Sequence, residues 1–314
     1  MTASSVHSLD IQGHRGARGY LPENTLPAFA RALALGVTTL ELDCAITRDG
    51  VVVISHDSVL NPDITRDPDG EWLAQDGPPI WHLTYDELQR YDVGRIKPGS
   101  AYAARFPQQE GIDGTHIPRL ADLFALVRRA GNDTVRFNIE TKVSPLEPAR
   151  TAPPDILARS LISLIKKEQI GGRTTIQSFD WRTLAIVQKE APEIPTVYLT
   201  AQQSFPDNIL AGKSESPWMP GMHVSQFGGS IPRMIKAAGG AVWSPPYTEV
   251  SQESVKEAQS LGLKVVVWTV NDEADMQRMM AWKVDGIISD YPDLLRKVAA
   301  GRGIILPPAT PATR

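Results

Sequence analysis

Short β-branched runs alternate with stretches of helical period along almost the whole chain. The strand-like runs fall at 11–13, 37–46, 135–141, 174–177, 195–199, 241–244, 264–270 and 286–289. Between or after them, apolar residues recur with the period of one helix face at 26–35, 119–130, 155–169, 181–190, 251–261, 273–282 and 293–299. Gly36, Gly131, Gly171 and Gly262 stand where such helices would stop, because a left-handed closing residue is cheapest without a Cβ. Eight strands alternating with helices predict an α/β fold, a (β/α)8 or TIM barrel. A doubly wound open sheet shares this periodicity, but no Gly-rich dinucleotide fingerprint follows the first run.

Two segments break the alternation. Residues 58–117 are rich in Asp, Pro and Gly and form an insertion after the second strand. They hold one helix start, Thr84-Tyr85-Asp86-Glu87, in which the Thr hydroxyl and the Glu carboxylate satisfy each other's backbone donors. Loops this long in compact domains usually cover or shape a site. The second segment, 201–229, carries Phe205, Trp218, Met219, Met222 and Phe227, which either pack onto the barrel rim or touch an apolar part of a substrate. Residues 1–304 read as one domain, and 305–314, with Leu306-Pro307-Pro308, as a disordered tail.

Composition narrows the class. In 314 residues, 42% hydrophobic and 22% charged positions suit a globular protein with a substantial core. A net charge of −4 offers no basic footprint for nucleic acid. The single cysteine, Cys44, excludes an intramolecular disulfide and reads as a buried structural thiol. The opening MTASSVHSLD lacks the charged start and apolar core of an export signal. No run approaches the ~20 apolar residues of a membrane span. A cytoplasmic enzyme without a membrane anchor is expected; the oligomeric state is open.

The polar residues inside these strands carry the chemistry. Glu41 and Asp43 are two apart on a strand, so their carboxylates share a face. Asp49-Gly50 is a strong two-residue hairpin signal, and such a turn sets Asp43 opposite His56 with Cβ atoms ~5 Å apart. A longer, bulged turn would shift that register by one. His14 and Arg15 end the first strand; Asn138, Glu140 and Lys142 alternate in the third. Gln177 and Ser178 end the fourth, Trp268 and Asn271 the seventh, Ser289 and Asp290 the eighth. In a barrel these ends meet at one rim. Charges in apolar strands are costly unless paired or bound to metal, and Glu41, Asp43 and Glu140 together suit a hard divalent ion such as Mg²⁺ or Ca²⁺. The duller accounts are a Glu140–Lys142 ion pair on one strand face and a core histidine at His14. His82, His116 and His223 have no companions at useful spacing, and Asp57 is given no role.

Taken together, these segments resemble the glycerophosphodiester phosphodiesterase family. The resemblance is carried by His14-Arg15-Gly16, Pro22-Glu23-Asn24-Thr25, Glu41-Leu42-Asp43, Thr47-Arg48-Asp49-Gly50, His56-Asp57, Ile139-Glu140-Thr141-Lys142, Gln177-Ser178-Phe179, Trp268-Thr269-Val270-Asn271 and the run from Asp285 to Asp290. Ser289 stands where the family usually has Thr, and 201–240 holds no family motif. The resemblance implies a TIM barrel that hydrolyses small glycerophosphodiesters to sn-glycerol 3-phosphate and an alcohol with a divalent metal. It implies catalytic roles for His14 as base and His56 as acid, and metal ligation by Glu41, Asp43 and Glu140. Arg15 and Lys142 would bring positive charge to the phosphate, Trp268 would pack on glycerol, and Gln177 and Asn271 would orient hydroxyls. Alternatives are a lysophospholipase D-like reaction on a longer lipid, a Schiff-base aldolase using Lys142, and a non-catalytic binding barrel.

Overall fold

The computed structural model describes residues 8–204 and 206–311. Its strands are β1 (Asp10–Gly13), β2 (Thr39–Ile46), β3 (Val52–Ile54), β4 (Arg136–Thr141), β5 (Thr174–Ser178), β6 (Thr196–Leu199), β7 (Val242–Ser244), β8 (Lys264–Val267) and β9 (Gly286–Ser289). All but β3 pair in parallel in the order β1-β2-β4-β5-β6-β7-β8-β9, and β9 pairs back to β1. The sheet is therefore a closed eight-stranded parallel barrel, a TIM barrel. The helices are α1 (Leu26–Leu35), α2 (Tyr85–Leu88), α3 (Ala101–Arg105), α4 (Leu120–Arg129), α5 (Pro154–Glu168), α6 (Trp181–Glu190), α7 (Ile231–Ala237), α8 (Gln252–Ser260), α9 (Glu273–Ala281) and α10 (Pro292–Gly301). Among the described residues, no helix is long and apolar enough to cross a membrane.

Local signals explain the boundaries. Thr25 caps α1 by accepting from the Ala28 N–H, Pro27 sits in its first turn, and Gly36 ends it at φ 86°. Its buried face, Ala28, Phe29, Ala32 and Leu33, packs into the layer between helices and barrel, where a large apolar side chain contributes about 1.5–3 kcal/mol. α7 was not anticipated from periodicity. It has only seven residues, of which Pro232, Met234 and Ile235 are buried, too few for a helical pattern to emerge. Ser230 caps it.

The hairpin after β2 differs from expectation. Cys44 lies opposite Ile54 and Ala45 opposite Val53, so Asp43 faces Ser55, whose N–H donates to the Asp43 carbonyl at 3.0 Å. The turn is longer than two residues: the Thr47 N–H donates to the Val51 carbonyl, and Gly50 takes the left-handed position at φ 85°. That extra residue shifts the register by one.

The insertion has its own small core, with Leu60, Ile80, Leu88, Val93 and Ile117 packed on Ala45 and Val53. Arg66 binds Asp92 and Asp113, tying the insertion to itself. The 201–229 segment places Met219 in the main core with Met222 and Phe227 against it; Phe205 lies outside the described residues. At the C-terminus, the Arg296 guanidinium donates to the Pro307 carbonyl at 2.8 Å and the Thr310 N–H to Leu33 at 2.9 Å. Residues 312–314 of the expected tail, and the first seven residues, lie outside the described residues.

Candidate active site

A cavity of about 360 Å³ opens at the C-terminal end of the barrel. His14, Arg15, Glu41, Asp43, His56, Glu140, Gln177 and Trp268 all line it. Of the residues singled out in the sequence, Lys142 borders an adjoining cavity that shares Glu140 and His56, and Asn271 borders neither.

The carboxylates come from neighbouring strands in matched register. Asp43 on β2 lies opposite Glu140 on β4, with Glu41 one pleat below. All three are buried, and one oxygen from each lies within 4.8 Å of the others. Burial, with Asp43 beside it, pushes the Glu41 carboxyl well above the usual range. Burial raises Glu140 to about 7 although Lys142 opposes it. Burial acts on Asp43 as well, but Arg15, His56 and Lys142 outweigh it and hold that carboxyl below the usual range. Such crowding of acids inside a fold is what a doubly charged cation would relieve, and an oxygen-only donor set fits a hard divalent ion. Lys142 supplies part of the compensation, with Nζ 2.7 Å from Glu140 and 3.9 Å from Asp43.

The oxygens of Glu41 are held from two sides. Gln177 Nε2 donates to Oε1 at 2.7 Å, and the Arg15 N–H donates to Oε2 at 3.0 Å. Arg15 itself occupies a left-handed conformation at φ 49°, followed by Gly16 at φ 87°. A Cβ on Gly16 would lie 2.6 Å from the Ala28 backbone, so only glycine lets the loop pack this close to α1. The Arg15 guanidinium donates to Glu23 at 2.5 Å, while its Nε lies 3.3 Å from Asp43 without hydrogen-bond alignment.

Each imidazole has an acidic partner. His14 Nδ1 lies 2.7 Å from Asp290 Oδ1 and 3.0 Å from Arg18 Nη2. Arg18 already donates to both Asp290 oxygens, so Nδ1–H donating to Asp290 is the tautomer that satisfies all three groups. Nε2 then presents its lone pair to the cavity, 3.9 Å from Glu41. Burial and Arg18 lower the His14 pKa to about 4, so the ring is neutral near pH 7. His56 Nδ1 lies 2.8 Å from Asp57 Oδ1, and Asn61 holds the other Asp57 oxygen at 2.7 Å. Burial, then Arg15 and Lys142, depress His56 too. His56 reaches the cavity because the chain bends away after Ile54, not through the strand register first expected.

The Glycerophosphoryl diester phosphodiesterase family profile matches residues 14–294, which include every residue just described. The chain belongs to this family. It is 30% identical over 286 residues to a glycerophosphodiester phosphodiesterase of Caldanaerobacter subterraneus subsp. tengcongensis, covering 91% of this chain and 95% of that one. A crystal structure of a glycerophosphoryl diester phosphodiesterase-type protein from Silicibacter pomeroyi DSS-3 superposes with a TM-score of 0.82 at 35% identity, covering 95% of both chains. An Oleispira antarctica phosphodiesterase, solved with its product sn-glycerol-3-phosphate, shares the fold with a TM-score of 0.66 at 22% identity, over 92% of this chain and 96% of that one.

Several neighbours of the site in this family member were not assigned from sequence. Asp290 was noted only as a strand end; its partner His14 is at the far end of the chain, and no spacing links them. Asp57 pairs with His56. Tyr102 and Arg105 reach the cavity from α3 of the insertion, and the Tyr102 hydroxyl bonds Glu23. Only the length of that insertion signalled its place over the site. Gln177 and Asn271 spend their amides on protein groups: Gln177 on Glu41, and Asn271 on Asp290 at 2.7 Å.

Proposed function

We propose that this chain hydrolyses glycerophosphodiesters to sn-glycerol 3-phosphate and an alcohol, with His14 and His56 as proton carriers and a divalent ion, Mg²⁺ or Ca²⁺, held by Glu41, Asp43 and Glu140. The observation that carries the reading is the convergence of three buried carboxylates and two imidazoles on one cavity in a member of this family. The ion, when bound, supplies Lewis-acid charge to the phosphoryl oxygens.

The residues do the rest. Arg15 and Lys142 bring fixed positive charge to the negative charge that grows on phosphorus-bound oxygen. His14 is neutral near pH 7 and oriented by Asp290, so its Nε2 accepts the proton of the attacking water or substrate hydroxyl. The phosphorus–oxygen bond to the alcohol breaks, and His56 gives that oxygen a proton. To donate, His56 must carry a proton on Nε2 as well as Nδ1; burial, Arg15 and Lys142 oppose that form, and Asp43 and Asp57, which holds Nδ1 at 2.8 Å, favour it. Trp268 offers an apolar face to the substrate carbons.

The test is a metal titration. Chelation should abolish turnover of glycerophosphodiesters, and Mg²⁺ or Ca²⁺ should restore it. Glu140→Ala should shift that titration to higher ion concentration, by more than the roughly 10- to 100-fold that loss of an outer partner costs. Full turnover after chelation would overturn the metal assignment, and an unchanged titration in the variant would remove Glu140 from the ligand set.

A further inference from the structure

The cavity at the carboxylates adjoins a second lobe of about 270 Å³. His56, Asp57, Glu140, Phe179 and Trp268 border both lobes and form their common wall. His14, Arg15, Arg18 and Arg105 border only the first, and Lys142, Glu147 and Trp218 only the second. We infer that the second lobe receives the alcohol half of the substrate, and that Trp218 and Glu147 select an alcohol bearing a quaternary ammonium. This rests on the hydrolytic reading above.

The two lobes differ in charge. The first combines all three carboxylates with the guanidinium groups of Arg15, Arg18 and Arg105, the place for the glycerol phosphate half and an ion. His56, the imidazole that protonates the departing oxygen, is the one both lobes share. The alcohol on that oxygen therefore extends away from His14, into the second lobe.

That lobe combines three aromatic rings with the carboxylates of Asp57, Glu140 and Glu147, one ammonium, Lys142, and the hydroxyls of Ser58, Ser144 and Thr151. Phe179, Trp218 and Trp268 wall it together with Val143 and Pro206. Phe179 and Trp268 meet edge-on with centroids 5.7 Å apart, and the Trp268 indole N–H is fixed by the Ser244 carbonyl at 2.9 Å. The Lys142 ammonium lies 2.7 Å from Glu140 and 3.9 Å from Asp43, so its charge is directed to the carboxylates and the phosphate beside them. Glu147 is half exposed, and among the described residues its carboxylate has a single ion pair, with Arg150 on its own loop at 3.4 Å. A quaternary ammonium is bulky, apolar at its surface and weakly hydrated, so ring faces and a nearby carboxylate both favour it. A polyol gains nothing comparable from the ring faces; its partners in this lobe would be Ser58, Ser144, Thr151, the Trp218 indole N–H, unpaired among the described residues, and the charged groups. Trp218 and Glu147 lie outside every short segment that carries the family resemblance.

The experiment compares kcat/KM for glycerophosphocholine and glycerophosphoinositol on the full chain with its metal. The native chain should prefer the choline ester. Trp218→Leu should lower the ratio of the two constants about tenfold, through KM for the choline ester. Because Trp218 is buried and its replacement risks folding, Glu147→Gln on the exposed loop provides a second reading: a ratio about threefold lower, with the difference shrinking in salt. Free choline should also inhibit the Trp218 variant more weakly. Equal losses on both esters in Trp218→Leu, or an unchanged ratio in Glu147→Gln, would overturn the inference. Turnover of both esters without preference would sink the alcohol subsite alone, whereas no turnover of either would sink the hydrolytic reading itself.

Discussion

The barrel lumen has two unlike halves. On the side built by β1, β2, β4 and β5, the inward positions carry amides and acids; on the side built by β6 to β9 they carry Val197, Val242, Val266 and Ile288. The polar half is one hydrogen-bonded ladder. Gln12 donates to Asp10 at 3.0 Å, Asn138 donates to both Gln12 and Gln177 at 3.0 Å, and Gln177 donates to Glu41 at 2.7 Å. Thr175 donates to Asn138 Oδ1 at 2.9 Å, so the orientation of each amide follows from the next. Val197, Val242, Val266 and Ile288 carry no polar side-chain atom to compete for Glu41, Asp43 and Glu140, and they keep the local dielectric low. One half aims the carboxylates; the other strengthens what they do.

The largest effects should come from the chemistry at the top of the polar half. His14→Ala and His56→Ala should each lower kcat by about 10²- to 10⁴-fold while thermal unfolding changes little. Near-native turnover in either variant would deny that histidine a role. The pH profile sharpens this. His14 must be neutral to accept a proton and His56 charged to donate one, so kcat/KM should rise with pH through the folded value of His14 and fall again through that of His56. Arg18 is the second cause, after burial, of the lowered His14 pKa of about 4. Arg18→Met should therefore raise that value and move the acid limb to higher pH. An acid limb that stays in place would mean that another group controls it.

A smaller effect should follow from cutting the ladder just below the acids. Gln177→Leu removes the donor to Glu41 Oε1 and leaves Asn138 short of an acceptor. Loss of such an outer partner should weaken divalent-ion binding about 10- to 100-fold by calorimetric titration. Unchanged affinity would make the ladder scaffold only.

How far the chain could be read reflects the range of its interactions. Glu41, Asp43 and Glu140 were legible because strand alternation fixes the face of each, and a polar residue in an apolar strand stands out. The barrel was legible because each strand–helix unit repeats the same local pattern. The register after β2 was not, since Val51, Val52, Val53 and Ile54 are apolar on both faces and leave it to the turn, where one extra residue decides. Asp290 beside His14 and Tyr102 beside Glu23 depend on closure of the barrel and folding of the insertion. No local period records either.

The smallest expected effect separates the two halves most cleanly, because it uses one isosteric exchange in both directions. Thr175→Val leaves Asn138 Oδ1 without its donor, and Val266→Thr puts a hydroxyl among Val197, Val242 and Ile288. Each leaves a polar atom unpaired at a cost of about 1–3 kcal/mol, read as a lower urea midpoint at unchanged slope. Stability alone therefore does not distinguish them. Ion affinity should: Thr175→Val frees the Asn138 amide to turn, loosens Gln177 and weakens binding a few-fold, about the lower end of an outer-partner effect. Val266→Thr touches no member of the ladder and should leave affinity unchanged. If both variants bind the ion equally, amide orientation is not transmitted from Thr175 to Glu41, and the polar half holds its acids by packing alone.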